Sequence, residues 1–456
     1  MDDAGSTSPY SPAKTPCRFV LDTSKPKPPK VSSVDFPNAD GGENGFGNDA
    51  EDANWSTKKF GTLGTFTVRA LSSDVVRYEY GFNEPSYPFS LSRSAGTATT
   101  VSATISNARP TTAGPNVLYV RTVDGAGNVS DPTRYFFYVT PRDQADAPGD
   151  FTGDALADLM VVTDAGNLAL YRSRATAKAD GTLGKGSGDF DYSMPGAYRG
   201  NPDKDPNGDD LPPFVAAPAG HFKGALITHN GDIYGGDGLQ DLVVRLEGKL
   251  WVYPGDGYGE VNIDKRREIL LPEGAPDPAD LTQIVAAGDA TGDGRTDFFA
   301  TLGDELWAFT GYHGATIDRA VRLWASGWTS RDLVTAQDIS GDGVTDLVYR
   351  ADQAAKLQLR KGIAAGGGGV DLDSLASAGN SAGGNDTEYG SAGWSVANIP
   401  LLIGTPDANG DSIPDVWTIR SDGSVRFYAG GRTVLPGSGT EVVTPNSWWK
   451  TRLAIG

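Results

Sequence analysis

Four times between residues 150 and 415 the chain repeats one pattern: aspartate, any residue, a small residue with a side-chain oxygen, glycine, aspartate, three residues, aspartate. The copies read Asp150-Phe-Thr152-Gly-Asp154-Ala-Leu156-Ala-Asp158, Asp289-Ala-Thr291-Gly-Asp293-Gly-Arg295-Thr-Asp297, Asp338-Ile-Ser340-Gly-Asp342-Gly-Val344-Thr-Asp346 and Asp407-Ala-Asn409-Gly-Asp411-Ser-Ile413-Pro-Asp415. Three like charges in nine residues repel one another, so each copy is either a turn whose carboxylates bond its own backbone or a site that holds a cation. Each copy sits in the same surroundings. Short runs of apolar and small residues lead in, such as Ile284-Val-Ala-Ala-Gly288 and Leu333-Val-Thr-Ala336; strands such as Leu242-Val-Val-Arg245 and Leu250-Trp-Val-Tyr-Pro-Gly255 follow. Strand, loop, strand, turn, strand, repeated, is most of a propeller blade.

A fifth copy is interrupted. His221-Phe-Lys223-Gly224 matches its start and Asp237-Gly-Leu-Gln-Asp241 its end, with residues 225–236 between them. On this reading His221 and Lys223 take the first two ligand positions, and Asp232 is available to join Asp237 and Asp241. The first loop, at Asp150, has no strand before it, whereas the chain stops at Arg452-Leu-Ala-Ile-Gly456, a lead-in strand with no loop after it. The two ends complement each other, which predicts a ring of five blades closed by the C-terminal strand. A chain cut just before a sixth loop gives the same ending.

Composition agrees with an all-β protein. Of 456 residues 60 are glycine and 29 proline, and 38% are hydrophobic, as in short strands joined by turns. Residues 32–140 read as one sandwich, with strands at Tyr78-Glu-Tyr80, Val117–Val123 and Tyr135–Val139. Residues 1–31 form a tail or linker, 141–148 a second linker, and 149–456 the ring. Cys17-Arg-Phe-Val-Leu-Asp22 before the proline-rich 25–30 segment looks like the last strand of an upstream domain, which makes this chain a downstream piece of a longer protein; a tail with a stiff spacer fits equally. The net charge of −19 excludes a nucleic-acid binder resting on a basic face. Cys17 is the one cysteine, so no internal disulfide or cysteine-based zinc site forms. No apolar run approaches the roughly 18 residues of a membrane-spanning helix, so membrane insertion is not expected.

Oxygen donors at loop positions 1, 3, 5 and 9, with a main-chain carbonyl at 7, make the set that calcium takes. A strand begins at position 10, where an EF-hand would place its later ligands, so these are not EF-hands. The array resembles the FG-GAP or VCBS repeats of bacterial secreted proteins, related to the calcium loops of integrin α-subunit propellers. That resemblance implies side-chain ligands from Asp150, Thr152, Asp154 and Asp158; Asp289, Thr291, Asp293 and Asp297; Asp338, Ser340, Asp342 and Asp346; and Asp407, Asn409, Asp411 and Asp415. It implies carbonyl ligands from Leu156, Arg295, Val344 and Ile413. The N-terminal sandwich resembles bacterial immunoglobulin-like domains through its Val-Arg-x-x-Asp-x-Ala-Gly-Asn-x-Ser stretch around residues 120–130. With three carboxylates per loop, dissociation constants of about 10⁻⁴ to 10⁻³ M are expected, so the loops fill outside a cell and the chain is placed as secreted or surface-bound.

No nucleophile elbow, HExxH helix, P-loop or dinucleotide fingerprint stands in a suitable context, and only three histidines are present, His221, His229 and His313. The reading is a non-enzymatic adhesion or recognition module whose partner is a glycan or a surface protein. The alternatives are a secreted polysaccharide-active enzyme or its accessory domain, and a rigid spacer. Trp328, Trp394 and Trp448 recur before lead-in strands and Trp251 and Trp307 at one place in successive blades, which reads as packing. The glycine-rich 364–393 stretch reads as a flexible loop, either a solvated insertion or a ligand lid.

Overall fold

The computed structural model describes residues 22–39, 54–60, 62–82, 85, 87–93, 102–108, 110, 114–140, 144–153, 155–173, 194–200, 214–257 and 259–456. Among them the chain is strand, turn and loop, with one short α-helix at Leu372–Ala376 and five single-turn 3₁₀ helices. The fold is all-β. Asp154 and the Cys17–Leu21 run lie outside the described residues.

Two sheets form the N-terminal part. One is ordered Trp55–Lys59, Thr133–Thr140, Gly114–Asp124, Val75–Phe82, Phe89–Ser92; the other is Lys30–Ser32, Gly64–Arg69, Ser102–Ala108. Their strands alternate: Tyr135, Phe137 and Val139 are buried while Phe136 and Tyr138 between them are partly exposed. The buried set meets Phe66 and Val68 of the other sheet in one core. Phe36 stacks on Phe66 with ring centroids 5.2 Å apart, and Gly64 makes room, since a Cβ there would lie 2.4 Å from the Phe36 ring. This unit starts before residue 32. Lys30–Ser32 is already one of its strands, and the preceding segment is bonded to it through Lys27 N–H to Ser72 Oγ (2.8 Å) and Thr122 Oγ1 to the Lys27 carbonyl (2.9 Å). In the turn at Asp124 the carboxylate accepts N–H bonds from Ala126 and Asn128 (2.9 and 2.8 Å), and Gly127 alone takes a positive φ.

Five antiparallel four-stranded sheets follow. Sheet 1 is Ala454–Ile455, Leu159–Val162, Leu168–Tyr171, Met194–Pro195; sheet 2 is Leu226–Thr228, Leu242–Leu246, Lys249–Tyr253, Arg267–Glu268; sheet 3 is Gln283–Gly288, Asp297–Leu302, Glu305–His313, Thr316–Trp324. Sheet 4 is Arg331–Gln337, Asp346–Ala351, Lys356–Arg360, Thr387–Gly390, and sheet 5 is Leu401–Thr405, Asp415–Ile419, Val425–Tyr428, Thr440–Val443. The first strands of successive sheets touch in a closed cycle, sheet 5 returning to sheet 1. The first strand of sheet 1 comes from the far end of the sequence. Ala454 pairs with Val162 and Ile455 with Val161, Leu453 N–H bonds the Val162 carbonyl (2.9 Å), and Met160 and Gly456 exchange backbone bonds (2.8 and 3.0 Å). Arg452, over the Trp448 ring at 3.5 Å, pairs with Asp164 at 3.2 Å.

Five hydrophobic clusters each span two neighbouring sheets. Into each reaches one large side chain from the turn before a first strand: Phe222, Leu281, Trp328, Trp394 and Trp449, all at most 6% exposed. Trp328 and Trp394 are therefore packing residues. At the last gap it is Trp449 that turns inward, and Trp448, 42% exposed, covers it edge-on. The glycine-rich stretch is an ordered brace. Val370 N–H bonds the Ala290 carbonyl (2.8 Å), and Gly292 and Gly369 approach so closely that a Cβ on either would lie 2.5 Å or less from the other's backbone or from Thr291.

Deleting Arg452 to Gly456 removes a strand from sheet 1 and uncovers the cluster shared by sheets 5 and 1. The deletion is expected to abolish the cooperative thermal transition of the ring; a deletion variant that melts cooperatively near the full-length temperature would contradict closure by this strand.

Candidate metal centres in the aspartate loops

Every loop turns on the same backbone. Positions 4 and 6 are left-handed: Gly153 and Ala155, Gly292 and Gly294, Gly341 and Gly343, Gly410 and Ser412, with φ between 64° and 86°. Two such residues flanking position 5 curl the loop tightly, and most copies place glycine there because it enters this region without steric cost.

The ninth-position carboxylate closes the loop. One oxygen accepts backbone N–H groups inside its own loop: Phe151 and Thr152 to Asp158 (2.9 and 3.0 Å), Thr291 to Asp297 (2.8 Å), Ser340 to Asp346 (2.7 Å) and Ala408 to Asp415 (2.8 Å). The other accepts an N–H at the end of the third strand of the same sheet: Ser173, Gly311, Gly362 and Gly430, at 3.2, 3.0, 3.0 and 2.8 Å. All four aspartates are fully buried. Burial raises the pKa of Asp297 and Asp346 and pushes Asp415 up to about 8, where the nearby carboxylates of Asp411 and Asp407 add to it.

The interrupted copy is a complete loop of this kind. It runs from Asp232 to Asp241, three residues beyond the sheet 2 first strand, with Gly236 and Gly238 left-handed at positions 4 and 6. Asp241 accepts from Ile233 (2.6 Å) and Gly255 (3.0 Å), and burial pushes its pKa up to about 6. His221 and Lys223 are therefore not ligand positions; they lie in the turn that places Phe222 between sheets 1 and 2. The residues read as an insertion, 225–236, contain the strand itself and the first half of the loop, which is one residue longer than the regular copies. Position 3 here is Gly235, so this copy lacks one side-chain oxygen.

The first-position aspartates lie over the turn. Asp289 accepts from the N–H groups of Asp293 and Gly294 (2.9 and 2.8 Å), Asp338 from Gly341, Asp342 and Gly343 (2.7, 3.1 and 3.0 Å), and Asp232 from Gly236 and Gly238 (3.0 and 2.7 Å). Asp407 accepts from Gly410, Asp411 and Ser412, among others, and Asp150 from Ala155 (2.7 Å). The fifth-position aspartates turn to the amide two residues on: Asp293 to Arg295, Asp342 to Val344, Asp411 to Ile413 and Asp237 to Leu239, at 2.9–3.0 Å. Thr291 Oγ1 donates to Asp297 (2.8 Å), and Asn409 Nδ2 to Asp411 (3.2 Å). Of the position-7 residues, Leu156 and Val344 are buried, Ile413 is half-buried, and Arg295 is exposed with its guanidinium on Asp318 (2.6 Å).

The oxygen donors fit a hard cation in number and kind, and the buried carboxylates of Asp241, Asp297, Asp346 and Asp415 take the hydrogen bonds described above from backbone and hydroxyl groups. The loop backbones bring the donors onto one turn, without gathering three described carboxylates of a loop within 4.8 Å of one another. Among the described residues the acidic side chains whose ligand atoms all lie within 4.8 Å of one another are Asp22, Asp74 and Asp124 of the sandwich. The histidines stand apart: His221 Nε2 meets Tyr253 Oη (3.0 Å) and Arg266 (3.1 Å), His229 is buried edge-on to Phe151, and His313 pairs with Asp318 (3.2 Å). Sequence reading missed the partners of the ninth aspartate. Gly255, Gly311, Gly362 and Gly430 recur 14 to 16 residues after it, and a Cβ at Gly255, Gly362 or Gly430 would lie 2.0–2.2 Å from a carbonyl oxygen.

No protein-family model matches the chain, and no curated protein sequence matches it. Among solved structures, the chain is similar over 76% of its length to 82% of an Agrocybe aegerita lectin described as recognising non-reducing terminal N-acetylglucosamine, with 14% identity and a TM-score of 0.34. Over 85% of its length it is similar to 98% of the BP39L lectin of Burkholderia pseudomallei, with 14% identity and a TM-score of 0.30.

Replacing Asp346 by alanine takes the acceptor from the buried Gly362 N–H and the half-buried Ser340 N–H, and a buried loss of this kind costs about 1–3 kcal/mol. In chelator, Asp346→Ala is expected to lower the stability of the ring by roughly 2–4 kcal/mol, and exposed Asp342→Ala by less than about 1 kcal/mol. Equal effects in denaturant titrations would contradict the clamp.

Proposed function

We propose that the chain is a calcium-stabilised, non-enzymatic recognition module that works outside the cell or on its surface and binds a glycan or a surface protein. Its parts are an immunoglobulin-like sandwich and a five-bladed propeller of the FG-GAP/VCBS type. The observation that carries this reading is the fivefold recurrence of one loop, with the same left-handed pair and the same buried carboxylate bonded to two chain segments. A turn that needed only to reverse direction would not call for three carboxylates each time.

Calcium bound there would neutralise the clustered carboxylates and take its ligands from loop positions 1, 3, 5, 7 and 9. The chain's own contribution is the rest: left-handed positions 4 and 6 set the curl, the ninth carboxylate holds the loop to its sheet, and the first carboxylate is oriented by N–H groups across the turn. Asp232, Asp237 and Asp241 make the loop of sheet 2 a fifth candidate site. Weak affinity suits millimolar extracellular calcium.

At 10 mM calcium and a dissociation constant of about 10⁻³ M, each filled loop adds roughly 1.4 kcal/mol. The melting temperature is expected to rise by several degrees on adding calcium, to fall back in chelator, and to respond less in Asp342→Ala. If chelation leaves the melting temperature of both proteins unchanged, the loops are ordinary turns.

A further inference from the structure

Three consecutive residues beyond the third strand of sheet 5 reach three different parts of the ring. Gly430 N–H donates to Asp415, the ninth aspartate of the sheet 5 loop (2.8 Å). Gly431 N–H donates to Tyr389 Oη in the fourth strand of sheet 4 (3.2 Å). The Arg432 guanidinium then spans two loops: Nη1 donates to the Asp338 and Ile339 carbonyls of the sheet 4 loop (3.3 and 3.4 Å), and Nη2 to the Ser412 carbonyl of the sheet 5 loop (3.0 Å). The backbone leaves room for nothing else here. A Cβ at Gly430 or Gly431 would lie 2.0–2.1 Å from a carbonyl oxygen, and one at Gly341 3.0 Å from the guanidinium. No hydrogen bond joins residues 338–346 directly to residues 407–415, so the guanidinium is the polar link between these loops.

Each carbonyl it holds belongs to a residue that sets its loop. Asp338 and Ile339 are positions 1 and 2, and Asp338 orients its carboxylate over the turn. Ser412 is position 6, left-handed at φ 64° although it is not glycine. The peptide that follows Ser412 is held at both ends: its carbonyl accepts from Arg432, and its N–H, on Ile413, donates to the fifth-position carboxylate of Asp411 (2.9 Å). A guanidinium is planar, always charged and rigid in the placing of its donors, so the position of one loop fixes the fork that meets the other. A loop ordered by its own cation holds the fork still, and its neighbour then orders at a smaller entropic cost.

We propose that Arg432 couples the calcium sites of sheets 4 and 5, so that filling either loop raises the affinity of the other. Arg432 acts as a positioning residue and not as a ligand, and the proposal rests on the calcium reading above. The test is hydrogen exchange of the full chain, read peptide by peptide across a calcium titration. It yields one midpoint for residues 338–346, one for 407–415 and a reference midpoint for 289–297, a loop that Arg432 does not touch. Asp411→Ala, which weakens the sheet 5 loop, is expected to raise the calcium midpoint of the sheet 4 loop about fivefold or more and to leave the reference unchanged. Because coupling is reciprocal, Asp342→Ala is expected to raise the sheet 5 midpoint by a similar factor. In an Arg432→Gln background both shifts are expected to vanish; Arg432→Lys, which keeps the charge but lacks the fork, is expected to lose them too and serves if the glutamine variant does not fold. Midpoints that respond to calcium but show no such shift, or shifts that survive in the Arg432 variants, overturn the coupling and leave the calcium sites standing. Loops whose exchange ignores calcium overturn the coupling together with the calcium reading.

Discussion

A buried carboxylate that bonds backbone N–H groups of two separate segments fixes each loop of this ring to its sheet. Burying such a charge is costly, and the raised pKa of Asp415 and Asp241 registers that cost. The hydrogen bonds offset part of it, and a cation in the loop would offset more. The arrangement is therefore stable in the folded chain only with the turn curled and the third strand ending where it does.

Other features follow from that constraint. The amide that the aspartate reaches belongs to a glycine in sheets 2 to 5, two residues past the third strand in sheets 2, 4 and 5 and near its end in sheet 3, and at Gly255, Gly362 and Gly430 a Cβ would meet a carbonyl oxygen. With the loops held at one rim, the first strands line up side by side and each gap between sheets receives one large wedge from the turn at the opposite rim. Neighbouring loops are also tied to each other. Arg432 donates to the carbonyls of Asp338 and Ile339 (3.3 and 3.4 Å) and of Ser412 (3.0 Å), bridging the loops of sheets 4 and 5. Position 4 of the sheet 4 loop is Gly341, and a Cβ there would come within 3.0 Å of that guanidinium.

Much of this is written locally in the sequence. The loop pattern is contiguous, so its four regular copies and the strands around them are legible from spacing alone, and the alternation of Tyr135 to Val139 marks a half-buried strand. The misread copy shows the limit. His221-Phe-Lys-Gly mimics a loop start, but what defines the loop is a carboxylate within reach of its amides, and that depends on where Leu226–Thr228 enters the ring. Glycine content made residues 364–393 read as loose, whereas Gly369 is glycine because it lies against Thr291 and Gly292. Of two adjacent tryptophans, only packing decides that Trp449 turns in and Trp448 stays out. The Asp22, Asp74 and Asp124 group joins three residues far apart in sequence and has no local signature.

The central claim is that the recurring loops are calcium sites. Equilibrium dialysis of the full chain at millimolar free calcium, counting bound calcium per chain, tests it most directly. Calcium sites in the loops give about two to four bound ions per chain at that concentration and saturate at four, or at five if the loop at Asp232 to Asp241 fills as well; less than one ion per chain at saturation would contradict them.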